Sequence, residues 1–191
     1  NLHERAVKNK LPKIISTGGL ELSEIDKIVS FYSKKNQMFA IMHCVAIYPS
    51  KLSDLNLNFI ENLKKRYPGV PIGWSTHERP EEFNPSTIAY SKGASLFEKH
   101  IGLSTKKYNL NDYSIEPELF EKWYQNLKSS MSILGKKTKP KLIKEKETLD
   151  TLQRGVFAKL NIKKENLLNK KDVYFAFPMK KGQLSASELK Q

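Results

Sequence analysis

The sequence holds one cysteine in 191 residues, Cys44. That excludes an internal disulfide framework and fits a reducing, cytoplasmic compartment. Long apolar runs are missing too: no stretch approaches the roughly 18 residues a membrane span needs, so no membrane partner is expected. The opening, Asn1-Leu2-His3-Glu4-Arg5, has neither an initiator Met nor the basic-then-apolar layout of a signal peptide. It reads as a point inside a longer chain. Acidic residues are in the minority, 20 Asp and Glu against 33 Lys and Arg, a net charge of +13. An excess of that sign raises the question of nucleic acid. The lysines, however, are spread over every segment, in doublets such as Lys34-Lys35, Lys64-Lys65 and Lys106-Lys107. No basic stripe is interleaved with aromatics, so a solvated lysine surface is expected and nucleic acid is not.

What is present is an ordinary globular balance, 39% hydrophobic and 28% charged, arranged as a march of short apolar runs and helical patterns. Pro12 to Thr17 is strand-like and broken by Gly18-Gly19. Ser23 follows as a candidate N-cap, with Ile25, Ile28, Val29 and Tyr32 at helical spacing. Met38 to Val45 is a nearly continuous apolar strand, and Leu57 to Tyr67 a helix ended by Pro68-Gly69. Val70 to Gly73 is a short strand, and Asn84-Pro85 predicts a cap and first-turn proline for a helix to about Lys92. Ala94 to Lys99 is a fourth strand, and Pro117 to Leu134 a fourth, amphipathic helix. The repeat of roughly 25 to 32 residues is that of a β-α unit, and continuous apolar strands predict a parallel sheet buried on both faces. Four units make either a small doubly wound sheet or half of an eightfold barrel. The polar strand ends Ser16-Thr17, His43-Cys44, Ser75-Thr76-His77 and Glu98-Lys99-His100 favour the barrel, where all of them share one rim. After Leu134 a charged, proline-containing linker leads to short β-rich runs, Gly155 to Ala158 and Asp172 to Pro178. That last stretch is too short to hold a robust core alone.

His77 and His100 end adjacent strands, and two imidazoles at one rim can form part of a divalent metal site. Two hydrogen-bonding or structural histidines fit the spacing as well. His43 sits inside an apolar run, where a buried, satisfied histidine is at least as good a reading as a ligand. Glu98 either orients a ligand or fills a layer as part of an ion pair. Ser16 and Ser75 precede turns where hydroxyls and backbone amides can hold phosphate, or they are helix-entry residues. Cys44 has no nucleophile partners and reads as a small buried residue. Glu78-Arg79-Pro80 and Glu81-Glu82 read as a solvated charge cluster.

Taken together, the strand ends resemble the N-acetylneuraminate (sialic acid) synthase family. The motifs are Ile15-Ser16-Thr17-Gly18-Gly19, His43-Cys44 with Ile47-Tyr48-Pro49, Gly73-Trp74-Ser75-Thr76-His77, Phe97-Glu98-Lys99-His100, and Tyr113-Ser114-Ile115-Glu116-Pro117. Arg154-Gly155-Val156-Phe157 and Asn161-Ile162-Lys163-Lys164 are similar to the opening of the family's antifreeze-like (SAF) domain. The resemblance implies an α/β fold, the C-terminal half of a TIM (β/α)8 barrel over residues 1–136. A linker over 137–150 and a partial SAF domain over 151–191 would follow.

The family's metal histidines match His77 and His100, with Mn2+ or Mg2+ implied. Its phosphate-contacting serines match Ser16 and Ser75, its substrate tyrosine Tyr48, and its acidic neighbour of the second histidine Glu98. The implied reaction condenses phosphoenolpyruvate with an N-acetylated amino sugar to give a nonulosonic acid and phosphate, in surface-carbohydrate biosynthesis. The family's domain-swapped homodimer is the implied assembly. The family's catalytic glutamate and phosphate-binding lysine have no counterpart in this stretch, so no catalytic residue is assigned and the stretch alone is expected to be inactive. Three departures mark a divergent branch. Ala46 stands for the usual Asn, Tyr108-Asn109-Leu110 stands for Gly-Pro-Asp, and no arginine lies near Phe177. Two rivals follow from the same residues. One is another pyruvate- or phosphoenolpyruvate-using aldolase barrel, for which Lys99 is the candidate Schiff-base lysine. The other is a degenerate barrel that binds carbohydrate without chemistry.

Overall fold

The computed structural model describes residues 2–189, in two compact units that divide after Gly135. In the first, a short helix α1 (Leu2–Ala6) precedes four β-α units: β1 (Lys13–Ser16), α2 (Leu22–Lys34), β2 (Phe39–Cys44), α3 (Asn58–Arg66), β3 (Ile72–Thr76), α4 (Asn84–Ser91), β4 (Leu96–Lys99) and α5 (Pro117–Leu134). The strands pair in parallel in the order β1-β2-β3-β4. This is a curled half-barrel sheet with helices on one face.

Strand alternation assigns the two faces. Ile41, Ile72 and Trp74 point toward the helices and pack with Ile25, Ile60 and Leu63 in one buried cluster. The opposite parity lines the concave face in two rows set by register. Ser16, Met42, Gly73 and Leu96 form the lower row, and Cys44, Ser75 and Glu98 the row nearer the rim. Gly73 is needed in the lower row, because a Cβ there would meet the Met42 side chain and the Leu96 carbonyl.

Helix caps differ from expectation by one or two residues. The second helix starts at Leu22, because Glu24 accepts the Glu21 amide at 2.8 Å and closes the turn before Ser23 is reached. The fourth helix takes Asn84 as its first residue, after Phe83. Polar ties join neighbouring helices. Arg66 donates twice to Asp26 at 2.7 Å, linking α3 to α2, and Trp123 donates to Ser86 at 2.9 Å, linking α5 to α4.

In the second unit, a helix α6 spans Ile143–Leu152, mostly within the stretch expected to be linker and running two residues past it. It has no buried residue, and its apolar positions do not gather on one face, which is why periodicity does not reveal it. Strands β5 (Gly155–Ala158) and β6 (Val173–Ala176) pair antiparallel, and Phe157 stacks on Tyr174 at 5.4 Å. Among the described residues no helix is long and apolar enough to cross a membrane.

Candidate active site at the strand ends

Parallel register brings the C-terminal ends of β2, β3 and β4 side by side. His77 follows β3 directly, and His100 follows β4. Their ring centroids are 5.2 Å apart. The main chain holds each in place: His77 O accepts the Ser50 amide at 2.9 Å, and His100 O accepts the Ile115 amide at 2.8 Å. The His77 ring is buried, and its Nδ1 lies 2.8 Å from the Val45 carbonyl. A carbonyl can only accept, so Nδ1 carries the proton and the Nε2 lone pair is left to face the site. Cys44 Sγ, 3.9 Å away, lies on the Nδ1 side. Burial pushes the pKa of His100 down and His77 pushes it further the same way; Glu98 pulls it up, by more than Lys99 adds to the fall.

Two tyrosines wall the pair. Tyr48 lies 4.1 Å from His77 and 6.3 Å from His100, centroid to centroid. Tyr113, on the segment before α5, meets His100 edge-on at 5.1 Å and Tyr48 at 5.1 Å. No role is assigned to Tyr113 from sequence. The signal was there in the matched Tyr113-Ser114-Ile115-Glu116-Pro117 motif, but only the parallel bridge between Ile101 and Ile115 folds that tyrosine back over the rim.

One row below, Ser75 Oγ donates to Glu98 Oε1 at 2.8 Å. The serine is buried and the carboxylate exposed on the concave face. Ser16 is exposed at the end of the edge strand, two strands from Ser75 and in the lower row. The structure thus gathers Tyr48, His77 and His100 around one point, sets Ser75 and Glu98 just beneath, and leaves Ser16 apart. His43 is on the helix side, buried, with Nε2 donating to the Leu55 carbonyl at 2.9 Å and its ring against Trp74. It is a satisfied core histidine.

One sequence expectation fails here, and one rival reading loses its lysine. Glu78 is not part of a solvated charge cluster but fully buried, paired at 3.2 Å with Lys99. Lys99 is correspondingly a poor Schiff-base lysine: its side chain is 1% exposed, on the face away from the concave site, and its ammonium is engaged. A charged residue just past a strand end, such as Glu78, is read as solvated when its partner, here from the next β-α unit, is not visible.

A divalent ion suits the histidine pair in part. Two imidazoles can share one ion only if their centroids lie within about 6.5 Å, given metal–nitrogen bonds of about 2.1 Å. The 5.2 Å separation and the His77 tautomer meet that condition. Among the described residues no group of three or more His, Cys, Asp or Glu side chains is gathered. Ala46 faces Gly18, and the Leu110 side chain lies against Gly102. In the second unit, Gly155-Val156-Phe157 forms β5, Asn161 and Ile162 line a cleft of about 370 Å3 with Lys159 and Lys171, and Phe177 is 62% exposed.

A parallel half-barrel with histidines, tyrosines and a Ser–Glu bond at one rim is the framework of a barrel enzyme. The NeuB family model matches residues 1–139, and the chain belongs to the NeuB family. A crystal structure of a spore coat polysaccharide biosynthesis protein E from Chromobacterium violaceum superposes on the whole chain with a TM-score of 0.80 and 39% identity, over 57% of its own length. A sialic acid synthetase from Leptospira borgpetersenii, solved with citrate, gives a TM-score of 0.69 at 32% identity, covering 78% of this chain and 51% of that one. Human N-acetylneuraminate-9-phosphate synthase is 28% identical over 166 residues, 86% of this chain and 46% of the human protein. The chain spans about half the length of the curated relatives it matches.

Proposed function

We propose that the protein to which this chain contributes condenses phosphoenolpyruvate with an N-acetylated amino sugar, forming a nonulosonic acid and inorganic phosphate. The observation that carries this reading is the convergence of His77 and His100 at the strand-end rim, with the His77 lone pair directed away from Val45. The names of the matched sialic acid synthases support the product class.

A divalent ion such as Mn2+, held by His77 and His100, would supply Lewis acidity to the sugar's carbonyl oxygen. Residues of this stretch contribute to the positioning. Val45 fixes the His77 tautomer, and the tyrosine pair limits the approach to the histidines from two sides. The new bond joins C3 of phosphoenolpyruvate to the aldehyde carbon. Water adds at C2, and phosphate leaves by C–O cleavage. Ser75 spends its proton on Glu98, so it can donate to a phosphate oxygen only after its hydroxyl rotates. Ser16, exposed on the edge strand, has no such commitment and is the freer phosphate contact. The second unit is read as the start of an SAF domain, on the strength of the Arg154-Gly155-Val156-Phe157 run.

The test is a Mn2+ titration by calorimetry of the full-length protein and its His77→Ala/His100→Ala variant, with and without phosphoenolpyruvate. Phosphate release is then measured across a panel of N-acetylhexosamines. Stoichiometric binding that disappears in the variant and tightens with phosphoenolpyruvate is expected. No binding by the intact protein would sink the reading.

A further inference from the structure

Behind the histidine pair lies an ion pair for which the proposed chemistry has no use. Lys99 Nζ is 3.2 Å from Glu78 Oε1 and 3.4 Å from the Glu78 backbone carbonyl, and the two side chains are 1% and 0% exposed. Each partner is the chain neighbour of one histidine, since Glu78 follows His77 and Lys99 precedes His100. Thr76, the register partner of Lys99, is fully buried on the same side. Thr76 Oγ1 and Glu78 Oε2 are buried without a hydrogen-bond partner, so this is not a patch optimised for polar satisfaction.

Burying two charges is costly, and an apolar pair of like volume commonly serves stability as well or better. Geometry is the better account of why charges stand there. The β3–β4 ladder ends at Thr76 and Lys99, so no ladder pair sets the spacing of the histidines beyond it. Main-chain bonds tie each histidine away from the other, His77 to Ser50 and His100 to Ile115. Lys99 reaches both the carboxylate and the carbonyl of Glu78, bridging the two segments where the ladder stops.

We propose that Glu78 and Lys99 are positioning residues, a buried latch that sets the separation and orientation of His77 and His100. The inference rests on the preceding reading only in taking those histidines as the metal-holding groups. The latch itself is a statement about geometry in the metal-free protein.

The test uses Glu78→Leu/Lys99→Met, which replaces the pair with apolar groups, and three readouts: melting temperature, imidazole 15N–1H spectra without metal, and Mn2+ affinity. A melting point near or above that of the parent is expected, with His77 and His100 resonances shifted or split while those of His43 stay in place. The Mn2+ dissociation constant should rise at least tenfold. A folded variant with unchanged His77 and His100 resonances and unchanged Mn2+ affinity overturns the latch. If the double variant does not fold, Glu78→Gln, which keeps the size and drops the charge, carries the same comparison. A parent that binds no Mn2+ defeats the metal reading, while the imidazole spectra still decide the latch.

Discussion

The ring of Tyr48 lies 4.1 Å from that of His77, with the planes inclined by 45°, although Tyr48 is itself half exposed. The contact therefore stabilises the arrangement of the site more than the fold. Tyr48→Phe keeps the ring and should leave the metal affinity near the parent value. Tyr48→Ala opens one wall of the histidine pair. Turnover by the full-length protein should fall at least tenfold, with a melting-point change of only a few degrees, about what loss of one exposed aromatic contact implies. Steady-state phosphate release and differential scanning calorimetry on the two variants check this.

Asp26 accepts two bonds from Arg66 and one from the Tyr67 hydroxyl, each at 2.7 Å. Arg66 first, then Tyr67, holds its pKa down to about 2. A carboxyl held low in the folded state contributes stability that is complete above its unfolded value of about 3.9 and is lost as the pH falls toward the folded one. Urea midpoints should therefore drop between pH 4 and pH 2 more steeply in the parent than in Asp26→Asn. Equal slopes would show that the α2–α3 tie does not form in solution.

Burial pushes the pKa of His43 down, against a smaller upward pull from its bond to the Leu55 carbonyl. The unfolded chain then binds the proton more readily, so stability is full above about pH 6.5 and is lost as the pH falls below it. His43→Leu should flatten that slope. It should also cost roughly 1–3 kcal/mol at neutral pH by leaving the Leu55 carbonyl unpaired. Denaturation curves at pH 5.5 and 7.5 separate the two effects.

Gly73→Ala places a methyl against the Met42 side chain and 2.8 Å from the Leu96 carbonyl oxygen. Overpacking of this kind should cost about 1–3 kcal/mol. Because Gly73 lies in the row below Ser75, the variant should also disturb the Ser75–Glu98 bond. A chemical-denaturation midpoint unchanged from the parent would mean that the concave face yields without strain.

The β-α march was legible because it is local. Apolar runs of strand length, helical spacing and Pro-Gly breaks all lie within a dozen residues of one another, and they place His77 and His100 at strand ends. The two-residue shift at Glu21 reflects a capping box with Glu24 that the pattern does not rank, whereas Phe83 precedes its helix with no side-chain cap. The first expectation for β3 stopped at Gly73, while the strand runs on to Thr76 because Ser75 and Thr76 are buried between two neighbours. The helix over Ile143–Leu152 escaped because its apolar residues form no face.

The sequence by itself determined a march of parallel β-α units and the polar residues at their strand ends, since apolar run length and helical period follow from each segment's own pattern. The tertiary structure alone decided which of those residues meet. Tyr113 joins the histidines only through the Ile101–Ile115 bridge, and Glu98 finds Ser75 only through parallel register. Glu78, read as part of a solvated charge cluster, is buried against Lys99 across 21 residues of chain. Partnership at a distance is set by register and packing, and a charge is stable out of water only when its partner arrives from another part of the chain.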